Sequence, residues 1–487
     1  MLRLFVHFVF GLTLASACVP RDGAKRESRT RQAPPATRAG NGREARSTPE
    51  HEVRAPLFRE SVGLNVKFTQ GQPLSDLPTL TELGVSWVRD TVDWASLEQT
   101  PGSFHKFPAE FLQRLDFYKA HDIGVVFLLG YQNELAYAAT PSDPLRPIQP
   151  FAFGRYALAV ARGLRDAGVR FVLEIWNEPH NFAIRPMVSG SWNGAPPAPW
   201  VDHYLKMVDE AVRQVKAFDP SIRLLSDDDM WIIHYWYLEQ GLNKAIDGFA
   251  FHPYTLSWPE RAAVDQSTDW VRPFTVVDAD ASFQSAVRRL RAQGKLKLGK
   301  TPEMWVTEWG WAIGQQSPLG PISEELLAAW LPRAYVSAAA VGVKAVCWFS
   351  ARDSVDGPMG LMTNDGRRRR PFYALKNMVR ELGHSALVKH VWGAEHLTSG
   401  LQGFLFRNSH DARLVVWNAD SGSLRLRLTA ELSGATVVDV IGQAVTPALD
   451  EAGVSYVTVS GAPIYLSALR PGVTNLDSAS LVRRDGS

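Results

Sequence analysis

Between Leu57 and Gly383, short apolar runs alternate with stretches whose apolar residues recur every three or four positions. The runs read as strands at Ser61–Val66, Gly84–Arg89, Ile123–Leu129, Phe171–Ile175, Ile222–Ser226, Asp247–Phe251, Met304–Thr307 and Val343–Phe349. Their near-continuous apolar character suits strands covered on both faces, as in a parallel sheet. The periodic stretches predict helices at Leu77–Leu83, Phe111–His121, Phe151–Ala167, Trp200–Phe218, Ala281–Gln293, Glu324–Ala340 and Phe372–Leu382. Such alternation over about 320 residues predicts an α/β fold, a (β/α)8 TIM barrel with long loops spanning 57–384. A doubly wound sheet is the alternative, but no Gly-rich phosphate loop follows any of the strands.

After Gly383 the period changes to two. Short runs at Leu401–Phe406, Arg413–Trp417, Leu424–Leu428, Thr436–Val440, Ser455–Val459 and Ile464–Leu466 are separated by Gly, Asn, Asp and Ser. That pattern predicts a small β-sandwich at 385–473, covering the barrel flank, and then a flexible tail at 474–487.

The other end has a third character. A basic start, the apolar Leu4–Leu14 and the small residues Ala15-Ser16-Ala17 read as a signal peptide at 1–17, too short for a typical membrane span. Leu14–Cys18 also resembles a bacterial lipobox, with Cys18 as the lipidated residue. A secreted chain with a chance cysteine is the alternative. Either way the expected location is extracytoplasmic: periplasm, outer membrane or medium. Residues 18–56 read as a disordered basic tether. Between Val19 and Pro56 stand nine Arg/Lys and five Asp/Glu, with no apolar periodicity. The whole-chain charge of +2 therefore comes from this leader, and the folded body is left slightly acidic. Charge makes no case for nucleic acid as a partner. The second cysteine, Cys347, sits in the apolar AVCWF and reads as a small buried hydrophobe, so no disulfide framework or cysteine-based metal site follows.

Two stretches carry the candidate chemistry. FVLEIWNEP runs from Phe171 to Pro179, and Pro179 ends the strand so that Glu178 stands at its carboxyl end. EMWVTEWGW, Glu303–Trp311, is a second short strand, ending in Glu308 among tryptophans. Barrel enzymes place their catalytic groups at the carboxyl ends of strands. The 130 residues between the glutamates leave room for three further strand–helix units at about 30 residues or more each, which returns both to one rim. Two carboxyl groups across a sugar-sized gap are the equipment for cleaving a glycosidic bond. The sixteen tryptophans are many, and at strand ends such rings suit stacking on sugars.

With WNEP and TEWGW on successive candidate barrel strands, the sequence resembles the retaining glycoside hydrolases of clan A. With a β-sandwich following, it is most similar to family 39, which includes xylan-type exo-enzymes and endo-acting hydrolases of biofilm exopolysaccharides. The resemblance spans roughly 57–384. It implies Glu178 as general acid/base and Glu308 as nucleophile. It implies Asn177 on the hydroxyl beside the reacting carbon, and Arg89 keeping the nucleophile ionised. Tyr254 and His252 would hold the nucleophile in place, and Trp348 would floor the sugar subsite. Tyr131 and Asn133 match the polar contacts from strand three more loosely. Trp176 and Trp311 are further candidates for lining the sugar site. Nothing is carried onto Asp227-Asp228-Asp229. The expected reaction is double displacement on a β-linked polysaccharide or oligosaccharide, exopolysaccharide or hemicellulose, by a monomer needing no cofactor and no metal. A non-catalytic carbohydrate-binding lipoprotein on a degenerate barrel and a transglycosylase are the competing readings.

Weaker signals have ordinary alternatives. The run Arg367–Arg370 reads as a solvated loop rather than a grip on acidic polysaccharide. His234, among aromatics, reads as structural. Trp94, Trp192, Trp231, Trp258 and Trp311 each suit a groove or a core.

Overall fold

The computed structural model describes residues 55–191, 198–229, 233–262, 281–469 and 482–484. The expected signal peptide, Cys18, the tether as far as Arg54, Trp192, Trp231 and most of the expected tail lie outside the described residues.

Eight parallel strands close a barrel in chain order: β1 (Val62–Asn65), β2 (Trp87–Asp90), β3 (Gly124–Leu129), β4 (Phe171–Ile175), β5 (Leu224–Asp228), β6 (Gly248–Phe251), β7 (Glu303–Trp309) and β8 (Val346–Trp348). β8 returns to β1, pairing Cys347 with Gly63. Each strand leads to a principal helix: α1 (Leu77–Leu83), α2 (Ala109–Ala120), α3 (Pro150–Ala167), α4 (Pro199–Phe218), α5 (Ile233–Glu239), α6 (Phe283–Leu298), α7 (Glu324–Ala340) and α8 (Arg370–Leu382). Caps set their bounds: Gln149, Ser282 and Ser323 side chains accept the free N–H groups at the starts of α3, α6 and α7. Gly168 ends α3 at φ 71°, a conformation that costs glycine least. The pattern gave no sign of α5, because its seven residues are apolar or aromatic on nearly every side and all but Glu239 are buried.

Side-chain alternation along the strands explains where the chemistry sits. Trp87, Val126, Val172, Leu225, Ala250, Trp305 and Cys347 form a separate cluster that plugs the barrel interior. Two residues further along the same strands stand Arg89, Leu128, Glu174, Asp227, His252, Thr307 and Phe349. Period two keeps these facing the same way, so a largely polar layer overlies the apolar plug at the carboxyl ends.

The C-terminal region is a sandwich. β9 (Ala386–Trp392), β10 (Leu401–Arg407), β11 (Ala412–Asn418), β13 (Thr436–Val438) and β16 (Ile464–Leu469) form one sheet, ordered β9-β10-β11-β16-β13. β12 (Leu424–Arg427), β14 (Ala448–Leu449), β15 (Ser455–Val459) and β17 (Val482–Arg484) form the other, ordered β14-β15-β12-β17. The inner strands of the first sheet are buried on both faces. Phe404, Phe406, Val415, Trp417 and Tyr465 join the barrel core, and Leu405, Leu414, Val416 and Leu466 fill the sandwich. β17 corrects the expectation of a wholly flexible tail: its main chain pairs with Leu424–Leu426. No helix among the described residues is long and apolar enough to cross a membrane.

Candidate active site

Glu178 and Glu308 meet. Together with His252 they place one oxygen or nitrogen each within 4.8 Å of one another. His252 Nδ1 lies 2.8 Å from Glu178 Oε1 and 3.9 Å from Glu308 Oε2. Glu178 comes from the turn after β4 and Glu308 from near the end of β7, so the barrel closure converts 130 residues of separation into contact. Both lie at strand carboxyl ends. A cavity of about 960 Å³ lies at the other end of the barrel, lined by residues that precede strands, such as Ser86, Ile123, Arg170 and Arg223.

Glu308 is held as a carboxylate. Arg89 Nη1 donates to its Oε1, and Tyr254 donates its hydroxyl to Oε2 at 2.9 Å. Burial alone would raise this carboxyl. The charges of His252, Arg89 and Lys67 and the Tyr254 hydrogen bond outweigh it and hold Glu308 below the usual carboxylate range. Tyr254 itself stays protonated, because burial and the Glu308 charge raise its hydroxyl well above normal. Lys67 also packs 3.7 Å from the Phe349 ring centroid and pairs with Asp356.

Arg89 is the hub expected of it, with more partners than the sequence indicates. It binds Glu174 through Nε at 2.6 Å and Nη2 at 3.2 Å, and Nη2 donates to Asn177 Oδ1 at 2.6 Å. Glu174 is fully buried. Desolvation works to raise it, yet Arg89, with His252, brings it down to about 2. Glu178 takes a left-handed main-chain conformation, φ 46°, and its N–H donates to Asp227 Oδ2 at 2.8 Å. Its Oε2 accepts from Asn181 at 3.3 Å.

Several expected site residues stand elsewhere. Asn133 spends both amide ends on main chain, donating to the Glu98 carbonyl and accepting from the Ala136 N–H. Trp176 is 0% exposed; its indole N–H goes to the Phe182 carbonyl, and its ring meets Tyr131 and Phe153. Trp311 and Trp348 are buried beside Trp309, Trp330 and Tyr335, in the layer between barrel and α7. None of these three indoles presents a face to a ligand here. The aromatic that shares the inward parity of β8 is Phe349, one residue beyond Trp348, with its ring 6.4 Å from Tyr254. His252 Nδ1 stands between the two glutamates, 2.8 Å from Glu178 and 3.9 Å from Glu308, so it touches the expected acid/base more closely than the expected nucleophile. Tyr131 is at the site: Arg89 and the carboxylates of Glu308, Glu178 and Glu174 all act on its hydroxyl, which burial raises.

Glu174, Asp227, Thr307, Lys67 and Phe349 escaped the sequence reading. Glu174 had a usable signal, a charge inside an apolar strand run. Asp227 was noticed only as part of an odd acidic triplet. The weaker signals resolve plainly. Arg367, Arg368 and Arg369 each pair with a carboxylate, His234 Nε2 lies 2.9 Å from the Ala250 carbonyl, and Trp94 is buried.

Three groups among the described residues bring metal-ligand atoms together: Glu174, Asp227 and His252; Glu178, His252 and Glu308; His180, Asp228 and Asp229. Arg89 already balances carboxylates of the first two. In the third, Asp228 accepts from Tyr237 at 2.7 Å and faces His180 Nδ1 at 2.8 Å.

No protein-family model matches the chain, and no curated protein sequence does. Solved structures do match. A family 39 glycoside hydrolase from Bacteroides cellulosilyticus WH2 superposes with a TM-score of 0.66 at 17% identity, covering 85% of this chain and 82% of that one. A glucosidase from Croceicoccus marinus gives 0.54 at 13% identity, over 85% and 96% of the two chains. A family 30 endoxylanase from Clostridium papyrosolvens C71 gives 0.53 at 12%, over 85% and 97%. The chain has the fold of the family 39 and family 30 glycoside hydrolases. That fold carries glutamates at the ends of β4 and β7 here, both near His252 Nδ1.

Proposed function

We propose that the chain is a retaining O-glycoside hydrolase acting on β-linked polysaccharide or oligosaccharide, with Glu178 as acid/base and Glu308 as nucleophile. The observation that carries this is the approach of the two carboxyl groups, with oxygens within 4.8 Å. Retaining enzymes need their carboxyl groups about 5–5.5 Å apart, whereas inverting enzymes need about 6.5–9.5 Å to admit a water between them.

The environments divide the labour. Glu308, ionised by Arg89, His252, Lys67 and Tyr254, attacks the anomeric carbon. Glu178 protonates the leaving oxygen as that bond breaks. Glu178 then takes a proton from water, which attacks the same carbon and frees Glu308. Asn177, fixed by Arg89, stands next to the acid/base and is the residue proposed to meet the neighbouring sugar hydroxyl. Hemicellulose or exopolysaccharide is the substrate class we favour. The endoxylanase among the similar structures supports hemicellulose. The signal-peptide pattern of the leader supports an extracytoplasmic site of action.

The test is a panel of aryl β-glycosides and polysaccharides with the wild type and three variants. Glu308→Gln and Glu178→Gln should each lose about a thousandfold or more in turnover on substrates with poor leaving groups. Glu178→Ala should regain turnover with azide on an activated aryl glycoside, giving a β-glycosyl azide. Equal turnover by wild type and Glu308→Gln would remove the assignment.

A further inference from the structure

Behind the two glutamates lies a buried pair that the reaction above does not use. Asp227 is 0% exposed. Its Oδ2 accepts the Glu178 main-chain N–H, while its Oδ1 has no hydrogen-bond partner and faces His252 Nε2 at 3.4 Å. His252, 1% exposed, reaches Glu178 with its other nitrogen. One carboxyl group thus touches Glu178 at both ends, at the main chain directly and at the side chain through one imidazole. The main-chain contact falls where it matters, since a left-handed conformation is unfavourable for a glutamate and persists only when braced.

We propose that Asp227 is a positioning residue for the acid/base, bracing the left-handed Glu178 main chain with one oxygen and governing the proton on His252 with the other. This rests on Glu178 being the acid/base. Burial pushes Asp227 well above the usual carboxylate range, against the pull of His252. Burial opposes charge on His252, but Asp227 and Glu308, with Glu174 and Glu178, raise it well above an ordinary histidine. A proton is therefore held between the two. In the resting enzyme that proton is shared between Asp227 Oδ1 and His252 Nε2, so the imidazole already carries part of the charge that acts on Glu308; once Glu178 has protonated the leaving oxygen, the remaining Asp227 O–H bond breaks and the N–H bond at Nε2 is complete. An imidazolium then faces the new Glu178 carboxylate, and a carboxylate remains on Asp227. When Glu178 regains a proton from the attacking water, that shift reverses. No charge enters or leaves the pair.

The surrounding groups leave this place to Asp227. From β4, Glu174 lies 3.8 Å from Nε2, but both its oxygens are taken by Arg89 of β2. From β7, Thr307 offers a hydroxyl at 3.1 Å and Glu308 stands on the Nδ1 side at 3.9 Å. Tyr204 of α4 bonds the Asp227 main-chain N–H, and Lys67 and Tyr254 act on Glu308. His234 of α5 carries no charge near neutrality.

Asp227→Asn keeps the shape and an acceptor for the Glu178 N–H but cannot pass a proton. Glu178 then ionises less readily and Glu308 loses the neighbouring imidazolium, so the alkaline and the acid limb of the pH–rate profile should each move up by about one unit. Asp227→Ala should lose a further tenfold or more with poor leaving groups and far less with 2,4-dinitrophenyl glycosides. His252→Gln should move the limbs as Asp227→Asn does, and the double variant no further. A uniform loss at every pH, with unmoved limbs, overturns the proposal. If Asp227→Asn does not fold, nitrogen NMR of His252 in the wild type decides: Nε2 must move toward imidazolium as Glu178 ionises, and a static Nε2 overturns the proposal. Full turnover by Glu178→Gln would instead sink the parent assignment, which separates the two failures.

Discussion

Glu174 and Glu308 share one guanidinium. Arg89 grips Glu174 through two nitrogens and gives the third to Glu308, so one buried cation fixes Glu174 and the proposed nucleophile together. Arg89→Met leaves two buried carboxylates without their cation. Urea unfolding should show a loss of about 3–5 kcal/mol. The acid limb of kcat/KM should also rise, because Glu308 loses a charge that favours its ionised form. Adding Glu174→Gln should recover part of the stability and none of the activity.

Tyr254→Phe isolates one hydrogen bond. Glu308 has a depressed carboxyl, so its working form is lost as pH falls through that value. Removing the hydroxyl raises the value and narrows the acid side of the profile. A hydrogen bond to a charged group contributes about 1.5–3 kcal/mol, so kcat/KM should fall roughly 10- to 100-fold. The melting temperature should barely change, since the ring remains.

The sandwich is tied to the barrel through a buried ion pair. Arg333 of α7 binds Glu260 at 2.7 and 2.6 Å; Trp417 of β11 donates to Glu260 at 2.8 Å, and Arg333 donates to the Gly461 carbonyl. Glu260→Ala strands the guanidinium and the indole. Calorimetry should show a stability loss of about 3–5 kcal/mol, with the barrel and sandwich transitions separating if the tie is what couples them. A single, unshifted transition would contradict this role.

His234 predicts an acid sensitivity unrelated to catalysis. Burial brings this histidine down to about 4, so it is neutral in the fold and protonates on unfolding below about 6.5. The unfolded chain binds the extra proton between these values, and stability must fall as pH drops from 6.5 to 4. From pH 7 to pH 5 the loss should be roughly 2 kcal/mol. His234→Gln should flatten that part of a urea-denaturation series; an unchanged slope would assign the loss to other groups.

The outline of the barrel was legible because each strand is an apolar run and each long helix an amphipathic one. Leu77–Leu83 and Glu324–Ala340 have the bounds that the periodicity predicts. α5 was not legible, since a short helix buried nearly all round has no period to show. Glu178 and Glu308 stood out by their aromatic and proline neighbours. Glu174 and Asp227 did not, because their partners Arg89 and His252 are 85 and 25 residues away in sequence. Trp348 and Phe349 show the limit most sharply. Adjacent residues of a strand face opposite ways, so which of the two faces the site depends on the parity of the closed sheet.

The amino-acid sequence alone determined that eight strands, seven of them followed by a legible helix, precede a β-rich module, and that two glutamates end the fourth and seventh strands. Those are local facts, written in periodicity, proline and the company a residue keeps. Only the tertiary structure decided that Arg89, Glu174, Asp227 and His252 form one buried network under the glutamates, and that Trp176, Trp311 and Trp348 turn away from it. Barrel closure and strand parity set those relations, and both arise from long-range pairing that no short stretch of chain encodes.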